Sequence, residues 1–250
     1  MNYFIYNGIS SKDMGVRISS KDIFSAPKYD LKFQSIPGRD GDLIYSEGRY
    51  PNTSVSYTCF IPAKSIKELA DKVTAIKGWL YTEPDRYHTL SDSYDTAFFR
   101  RAVFNNKLDI SDEINKIGVF TVNFTCHPMR FSSAGQVKTT YSTSPITLTN
   151  PYAFASKPYL KINGKGTGTL TIQSASSNKT WNFSTLNGYT ECDSELMNFY
   201  HDTTLKNDTV KGEGFPLFAP GKKHSGACRQ GNCDKGVALH RTRPLPHLVR

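Results

Sequence analysis

Apolar and polar residues alternate with a period of two along much of the chain, which predicts strands with one buried face. The clearest case is residues 117–126, where Phe120, Val122, Phe124 and Cys126 share one face. His127-Pro128 is predicted to end this strand. Further strands are predicted at residues 3–6, 16–18, 55–61 and 94–104.

A dense turn signal, Pro-Gly-Arg-Asp-Gly-Asp, occupies residues 37–42. Proline presets one backbone angle and glycine accepts positive φ, so these residues favour a reversal of the chain. The apolar residues at 31–34 and 43–45 predict a two-stranded hairpin that carries this polar loop. Two interpretations are open: the loop is presented to a partner, or it is a turn that only sets the register of its strands.

One amphipathic helix is predicted at residues 65–80. Ser65-Ile66-Lys67-Glu68 has the form of a capping box, in which the serine hydroxyl and the glutamate satisfy free amides of the first turn. Apolar residues recur at helical spacing and predict one face that covers a sheet. They are Ile66, Leu69, Ala70, Val73, Ile76 and Leu80.

The composition changes at residues 132–144, which are rich in Ser, Thr and Gly and form the best linker candidate. Short β segments follow at close spacing, and they predict a β-sandwich of about ninety residues. The segments are 146–149, 159–162, 169–173, 180–183 and 191–198. Asn163-Gly164 and Asn187-Gly188 predict tight turns between them.

The last thirty residues differ from the rest of the chain. From Gly221 to Arg250 there are seven Lys and Arg against one acid, a net charge of 7 − 1 = +6, out of +9 for the whole chain. Neither helical nor strand periodicity is visible there, so residues 223–250 are predicted to be a basic, disordered tail. The first 220 residues carry 9 − 6 = +3, and this near neutrality argues against a folded nucleic-acid-binding surface.

Cysteine content and the N-terminus indicate the compartment. Five cysteines are an odd number at low density, which does not favour a disulfide framework. Cys59 and Cys126 lie in alternating segments and are interpreted as small buried residues in a reducing compartment. The N-terminus lacks the pattern of a signal peptide, and no apolar run is long enough to span a membrane. We therefore expect synthesis and folding in a cytoplasm.

The sequence contains no motif that predicts an enzyme. There is no P-loop and no GxSxG elbow. Residues 164–168, GKGTG, lie between β segments, which favours a hairpin turn. Asp193 and Glu195 can share one face of a strand, but the default interpretation is surface acids that are solvated or hydrogen-bonded. No catalytic residue and no cofactor are predicted.

Two segments were weighed as metal sites. Cys228 and Cys233, with His224 and His240, do not have the usual spacing of zinc ligands. Asp40-Gly41-Asp42 lacks the twelve-residue pattern of a calcium loop. No metal ligand is predicted.

Seven segments between residues 4 and 223, taken in order, resemble the distal tail proteins of long-tailed phages that infect Gram-positive bacteria. Four lie in the first half: FIYNGISSKDMGVRI, IPGRDGDLIYSEGRY, IKGWLYT and VNFTCHPMRF. Three lie in the second half: ITLTNPYAFASKPYLKINGKGTGTLTI, YTECDSELMNFY and GEGFPLFAPGKK. Each segment alone is weak, and their conjunction in the expected order carries the resemblance.

The resemblance implies a mainly β fold, with β-sandwiches and one amphipathic helix. Residues 1–131 would form a ring-forming belt domain, and residues 132–222 a galectin-like β-sandwich. It implies a homohexameric ring at the virion tail tip that connects the tail tube to the tail fibre or tail-associated lysin. Receptor-binding and other baseplate proteins are further implied partners, while membrane and specific nucleic-acid binding are not.

With this resemblance, the loop at 37–42 becomes a candidate ring or tube contact, with Arg39, Asp40, Asp42 and Arg49 as interface residues. Relatives usually continue after a PGKN-like turn with a final strand, whereas this chain reads Pro220-Gly221-Lys222-Lys223 and then loses strand character. Residues from about 223 are therefore interpreted as a frameshifted or truncated gene end.

A carbohydrate-binding module for adhesion to the host surface is the alternative function, because the second domain resembles galectins. A galectin-type site needs a stacking tryptophan on a sheet face. Trp181 is the one tryptophan in that half, and it shares a face with Phe183, which favours a core position.

Overall fold

The computed structural model describes residues 2–113, 116–142, 145–174 and 177–220, and the backbone of strands at 223–230 and 237–240. Its mainly β architecture, with one α-helix in these described residues, confirms the predicted fold class. Contacts within the chain define two compact units, which divide after Arg130.

The first unit is built on an eight-stranded sheet, and it also contains a separate two-stranded hairpin. Its elements are β1 Phe4–Tyr6, β2 Ile9–Ser10, β3 Arg17–Asp22, β4 Leu31–Gln34, β5 Leu43–Ser46, β6 Thr53–Pro62, α1 Ile66–Leu80, β7 His88–Asp92, β8 Phe98–Val103, β9 Ile110–Glu113 and β10 Ile117–Ser132. The large sheet has the order β2-β1-β7-β8-β10-β6-β3, with β9 also paired to β10, and β4 and β5 form a sheet of their own.

The core of this unit contains the residues of β6 and β10 that the alternating pattern predicts to be buried. The inward residues of β6 and β10 are buried, and β6 and β10 pair in antiparallel register from Ile117↔Pro62 to Cys126↔Thr53. The end of β10 was predicted wrongly, because the strand continues through Pro128 to Ser132. Pro128 lies beyond the last pair with β6, so its missing N–H removes no bond from that ladder.

The predicted helix is present as α1. The Ser65 hydroxyl accepts a hydrogen bond from the Glu68 amide at 3.2 Å. The Glu68 carboxylate reaches back one residue further than predicted, and accepts from the Lys64 amide at 2.8 Å. The predicted buried face is wrong at Ile66 and Ala70, which are exposed, because the helix presents Leu69, Ile76, Trp79 and Leu80 to the core instead.

The second unit contains one nine-stranded sheet, order β11-β19-β13-β14-β15-β16, with β12, β17 and β18 paired off this path. Its strands are β11 Thr139–Tyr141, β12 Ile146–Thr149, β13 Tyr159–Ser174, β14 Ser177–Asp193, β15 Asn198–His201, β16 Thr204–Leu205, β17 Val210–Gly212, β18 Lys223–Gln230 and β19 Val237–His240. Single-turn 3₁₀ helices lie at Ala134–Gln136 and Asn207–Thr209.

Two long strands replace the four short ones predicted in the middle of this unit. β13 and β14 pair from Tyr159↔Asp193 to Ser174↔Ser177. The two Asn-Gly turns were predicted wrongly, because Gly164 and Gly188 lie opposite each other within this ladder. The GKGTG segment is likewise an irregularity in β13, where the register shifts between Gly166 and Gly168. Glycine relaxes the strand here, and positive φ at Gly166 (83°) needs it.

The end of the chain contains strands that sequence analysis did not predict. β18 pairs with β12 and β13, and β19 pairs with β11 and β13. The expectation of a tail without strands is therefore wrong for residues 223–230 and 237–240. Pairing with β18 and β19 satisfies the backbone N–H and C=O groups of β13 on the side away from β14. This pairing does not require side-chain alternation. Residues 231–236 and 241–250, and with them Cys233, lie outside the described residues.

Candidate assembly surface

The hairpin of the first unit, β4 to β5, is the most exposed feature among the described residues of that unit. We call residues 31–46 the arm. Its strands pair with Leu31 opposite Ser46, Phe33 opposite Ile44, and Gln34 opposite Leu43. Paired residues point to the same face, so Phe33 and Ile44 lie side by side on one face of the arm.

Both faces of the arm carry exposed apolar side chains. Phe33 is 58% exposed and Ile44 is 61% exposed on the first face, while Tyr45 is 64% exposed on the other. A two-stranded hairpin that packs against no further layer is marginally stable in water. Contiguous exposed apolar groups of this kind are typical of interaction sites.

The base of the arm is held by a set of local contacts. The rings of Tyr29 and Tyr50 meet edge to face with centroids 4.8 Å apart. The Asp30 amide donates to the Arg49 carbonyl at 3.1 Å, and the Arg49 guanidinium lies 2.9 Å from the Asp30 carboxylate. Lys32 and Glu47 form a further ion pair. These contacts fix the root of the arm while its faces stay in solvent.

The predicted interface residues fall into two groups. Arg39, Asp40 and Asp42 are exposed at the tip of the arm, where Gly38 and Gly41 both adopt a φ of 78°. Within the described residues their side chains form no ion pair, and the Arg39 amide donates to the Ile36 carbonyl at 3.2 Å. Arg49 lies instead at the base and is bonded to Asp30.

The exposed apolar residues of the arm were missed as candidates from the sequence. The signal was present, because Leu43, Ile44 and Tyr45 are consecutive apolar residues. A strand of a two-stranded ribbon cannot turn all three toward one core, so at least one of them must be exposed.

The second unit does not offer the tryptophan that a galectin-type sugar site needs. Trp181 is 1% exposed, and its indole N–H donates to the Gly214 carbonyl at 2.8 Å. The ring of Tyr189 is engaged by Lys161, whose ammonium lies 3.5 Å from its centroid, and by the ring of His201. Its hydroxyl is hydrogen-bonded to Asp202, and this bond is the first cause that raises the pKa of Tyr189 to about 12.

The acidic and thiol side chains that could in principle support catalysis have structural roles here. Asp193 is buried, and its carboxylate accepts from the amides of Glu195 at 3.0 Å and Leu196 at 3.1 Å, as in a turn cap. Burial raises the pKa of Cys59, Cys126 and Cys192 to about 12, which holds each thiol in its unreactive protonated form. The described residues contain no group of three His, Cys, Asp or Glu placed to hold a metal ion.

Across the described residues, no helix has both the length and the apolar character needed to cross a membrane.

Comparisons with known proteins identify a family domain in the first unit and a shared fold. Residues 7–126 match the family of phage tail protein RIFT-related domains. The Dit protein of phage SPP1, described as a paradigm of the hub adsorption apparatus in phages that infect Gram-positive bacteria, has a TM-score of 0.73 at 12% identity, over 98% of both chains.

The activated baseplate of phage p2, solved with Sr, contains a chain with a TM-score of 0.48 at 8% identity, over 92% of this chain and 99% of that one. Curated protein sequences contain no significant match to the chain. A phage tail domain at residues 7–126 and the Dit fold over nearly the whole length confirm the resemblance to siphophage distal tail proteins seen in the sequence.

Proposed function

We propose that this tail structural protein assembles into a homohexameric ring at the distal end of a long-tailed phage tail. Residues 1–131 form the ring as a belt domain, and residues 132–222 decorate it as a galectin-like domain. The ring connects the tail tube to the tail fibre or tail-associated lysin, and carries baseplate and receptor-binding proteins. The protein acts in the virion after synthesis in the host cytoplasm, and has no enzymatic activity.

The observation that carries this proposal is the arm, with exposed apolar residues on both faces and a base held by hydrogen bonds and ion pairs. A surface of this kind gains free energy when a neighbouring copy covers it, by about 25 cal/mol for each Å² of apolar area removed from water. An arm that contacts a different surface of the next copy makes a head-to-tail interface, and such interfaces close into rings when the rotation permits. The fold shared with a hub protein supports the same assembly.

The charged tip gives this interface its specificity. Arg39, Asp40 and Asp42 are exposed, and within the described residues their side chains form no ion pair. A neighbouring ring subunit or the tail tube can therefore pair with them without breaking an existing bond. Complementary charges select partners and register more than they add affinity.

Charge reversal at the tip tests the contact. The double variant R39E/D40K keeps the net charge of the chain and changes only the order of signs. We expect reduced assembly in sedimentation velocity with an unchanged melting temperature, because both residues are exposed. The matched control is K107E/D109K, another exposed pair of opposite charges in the same unit. Assembly of R39E/D40K at the level of the wild type would remove the tip from the interface.

The place in the virion is tested separately. Gold-labelled antibodies against this chain should mark the end of the tail where the tube meets the fibre, in electron micrographs of particles. Labelling along the tube or on the capsid would contradict the proposed location.

A further inference from the structure

A small cavity in the first unit has a buried arginine, Arg130, and a partly buried one, Arg100, in its wall. Its volume is about 10 Å³, and its lining includes Tyr57, Asp92, Asp95, Phe98, Arg100 and Arg130. A space of this size holds about one water-sized particle. Two guanidinium groups beside so small a space raise the question of what fills it.

One nitrogen of the Arg130 guanidinium is ion-paired, and the other two have no hydrogen-bond partner in the described residues. Its side chain is 7% exposed, and its Nη1 donates to the Asp95 carboxylate at 2.6 Å. The Phe98 ring lies 4.6 Å from its central carbon. Its Nε and Nη2 are buried and have no hydrogen-bond partner in the described part of the chain. These two N–H groups form a fork that suits an acceptor between them.

One carboxylate beside the cavity, that of Asp92, is already engaged through both oxygens. The Asp92 carboxylate accepts from the Tyr57 hydroxyl at 2.9 Å, and from the amides of Tyr94 at 2.9 Å and Asp95 at 3.0 Å. Arg100 donates to the Ile23 carbonyl. Burial lowers the pKa of Arg100, and the positive charge of Arg130 acts in the same direction. Arg130 Nε–H and Nη2–H are the buried donors beside the cavity that have no acceptor in the described part of the chain.

We propose that the cavity binds one monoatomic anion, of the halide class, on the Nε–H and Nη2–H of Arg130. A buried charged donor without a partner is costly, so an empty cavity is unfavourable. A water molecule would accept from the fork but would bring two protons that also need acceptors, whereas a halide brings none. A halide is the smallest anion that can accept both bonds from one position.

Crystals of the full chain grown in sodium bromide test this site directly. Anomalous scattering at the bromine edge should show one peak within hydrogen-bonding distance of both Nε and Nη2 of Arg130. Density there without a bromine signal means a water molecule, and it would overturn the proposal, as would an empty cavity.

Thermal unfolding tests the same site in solution. At equal ionic strength, sodium chloride should raise the melting temperature of the wild type above that in sodium gluconate by about 2–4 °C, since the ligand binds only the folded state. Arg130→Lys keeps the positive charge but removes the fork, so it should abolish the difference. The exposed Arg86→Lys is the control that keeps it.

An equal melting temperature in both salts, or a difference that persists in Arg130→Lys, would overturn the proposal. A bromine peak without any chloride effect in solution would overturn it too, as binding at crystal concentration only. If Arg130→Lys fails to fold, the bromide crystals and the wild-type salt comparison decide.

Discussion

Replacing the apolar pair on the arm should weaken assembly without unfolding the subunit. The variant is F33T/I44T, which removes the cross-strand pair on one face. Threonine is chosen because it favours strands, so the hairpin itself should persist. Both residues are more than half exposed in the isolated chain, so their loss costs the fold little.

The size of the effect follows from the exposed fractions of the two side chains. Burying such a side chain completely contributes about 1.5–3 kcal/mol. With 58% of Phe33 and 61% of Ile44 still in solvent, each has about 1–1.5 kcal/mol left to gain from a neighbour. The double variant should lose about 2–3 kcal/mol per interface, which corresponds to a contact roughly 30- to 150-fold weaker.

Sedimentation velocity over a concentration series measures this change, and circular dichroism verifies the fold. Leu205→Thr is the matched control, because Leu205 is 61% exposed on β16 of the second unit. The control should assemble like the wild type. If F33T/I44T also assembles like the wild type, or if the control is equally impaired, the arm is not the interface.

Three further predictions concern the cores and the thiols. Trp79→Phe should destabilise the first unit by about 1–3 kcal/mol in denaturant titrations, because the buried indole donates to the Tyr6 carbonyl at 3.0 Å; unchanged stability would contradict that role. Gly212→Ala should destabilise the second unit by about 1–3 kcal/mol or more, because the added methyl would lie 2.8 Å from the Thr180 carbonyl oxygen. By contrast, the methyl of Gly78→Ala in α1 meets no atom, and this substitution should stabilise the protein by about 0.5–1 kcal/mol. The pKa of the three buried thiols is raised to about 12, so at pH 8 they should resist a thiol reagent in the folded C228S/C233S variant and react after denaturation. Rapid labelling of the folded form would refute their protonated, buried state. These thiols are Cys59, Cys126 and Cys192.

Local chemistry made much of the first unit predictable. Alternation identified β6 and β10 and their buried faces, and the capping box identified the start of α1 at Ser65. The arm was also predictable, because its turn residues and flanking strands are adjacent in sequence. In each case the signal and the structure depend on residues a few positions apart.

The errors came from glycine and from pairing between distant residues. Asn-Gly pairs are strong turn signals, yet Gly164 and Gly188 lie opposite each other in one long ladder. β18 forms beside β13 although its own sequence does not alternate, because its backbone pairs with a strand more than fifty residues away. Neither arrangement can be read from a short window of sequence.

The candidate site was predictable only in its charged part. Arg39, Asp40 and Asp42 are visible in the sequence as a polar loop, and the structure leaves them exposed. The apolar faces of the arm were missed because apolar residues in a strand are ordinarily assigned to a core. The fork of Arg130 was missed because its environment comes from β8, β10 and the segment around Asp95, which meet only in the fold.

The mass of the purified protein in solution tests the central claim most directly. Light scattering coupled to size-exclusion chromatography should give a species of six times the 28.0 kDa chain. A protein that remains monomeric up to the highest concentration reached, with its arm intact, would contradict assembly into a ring.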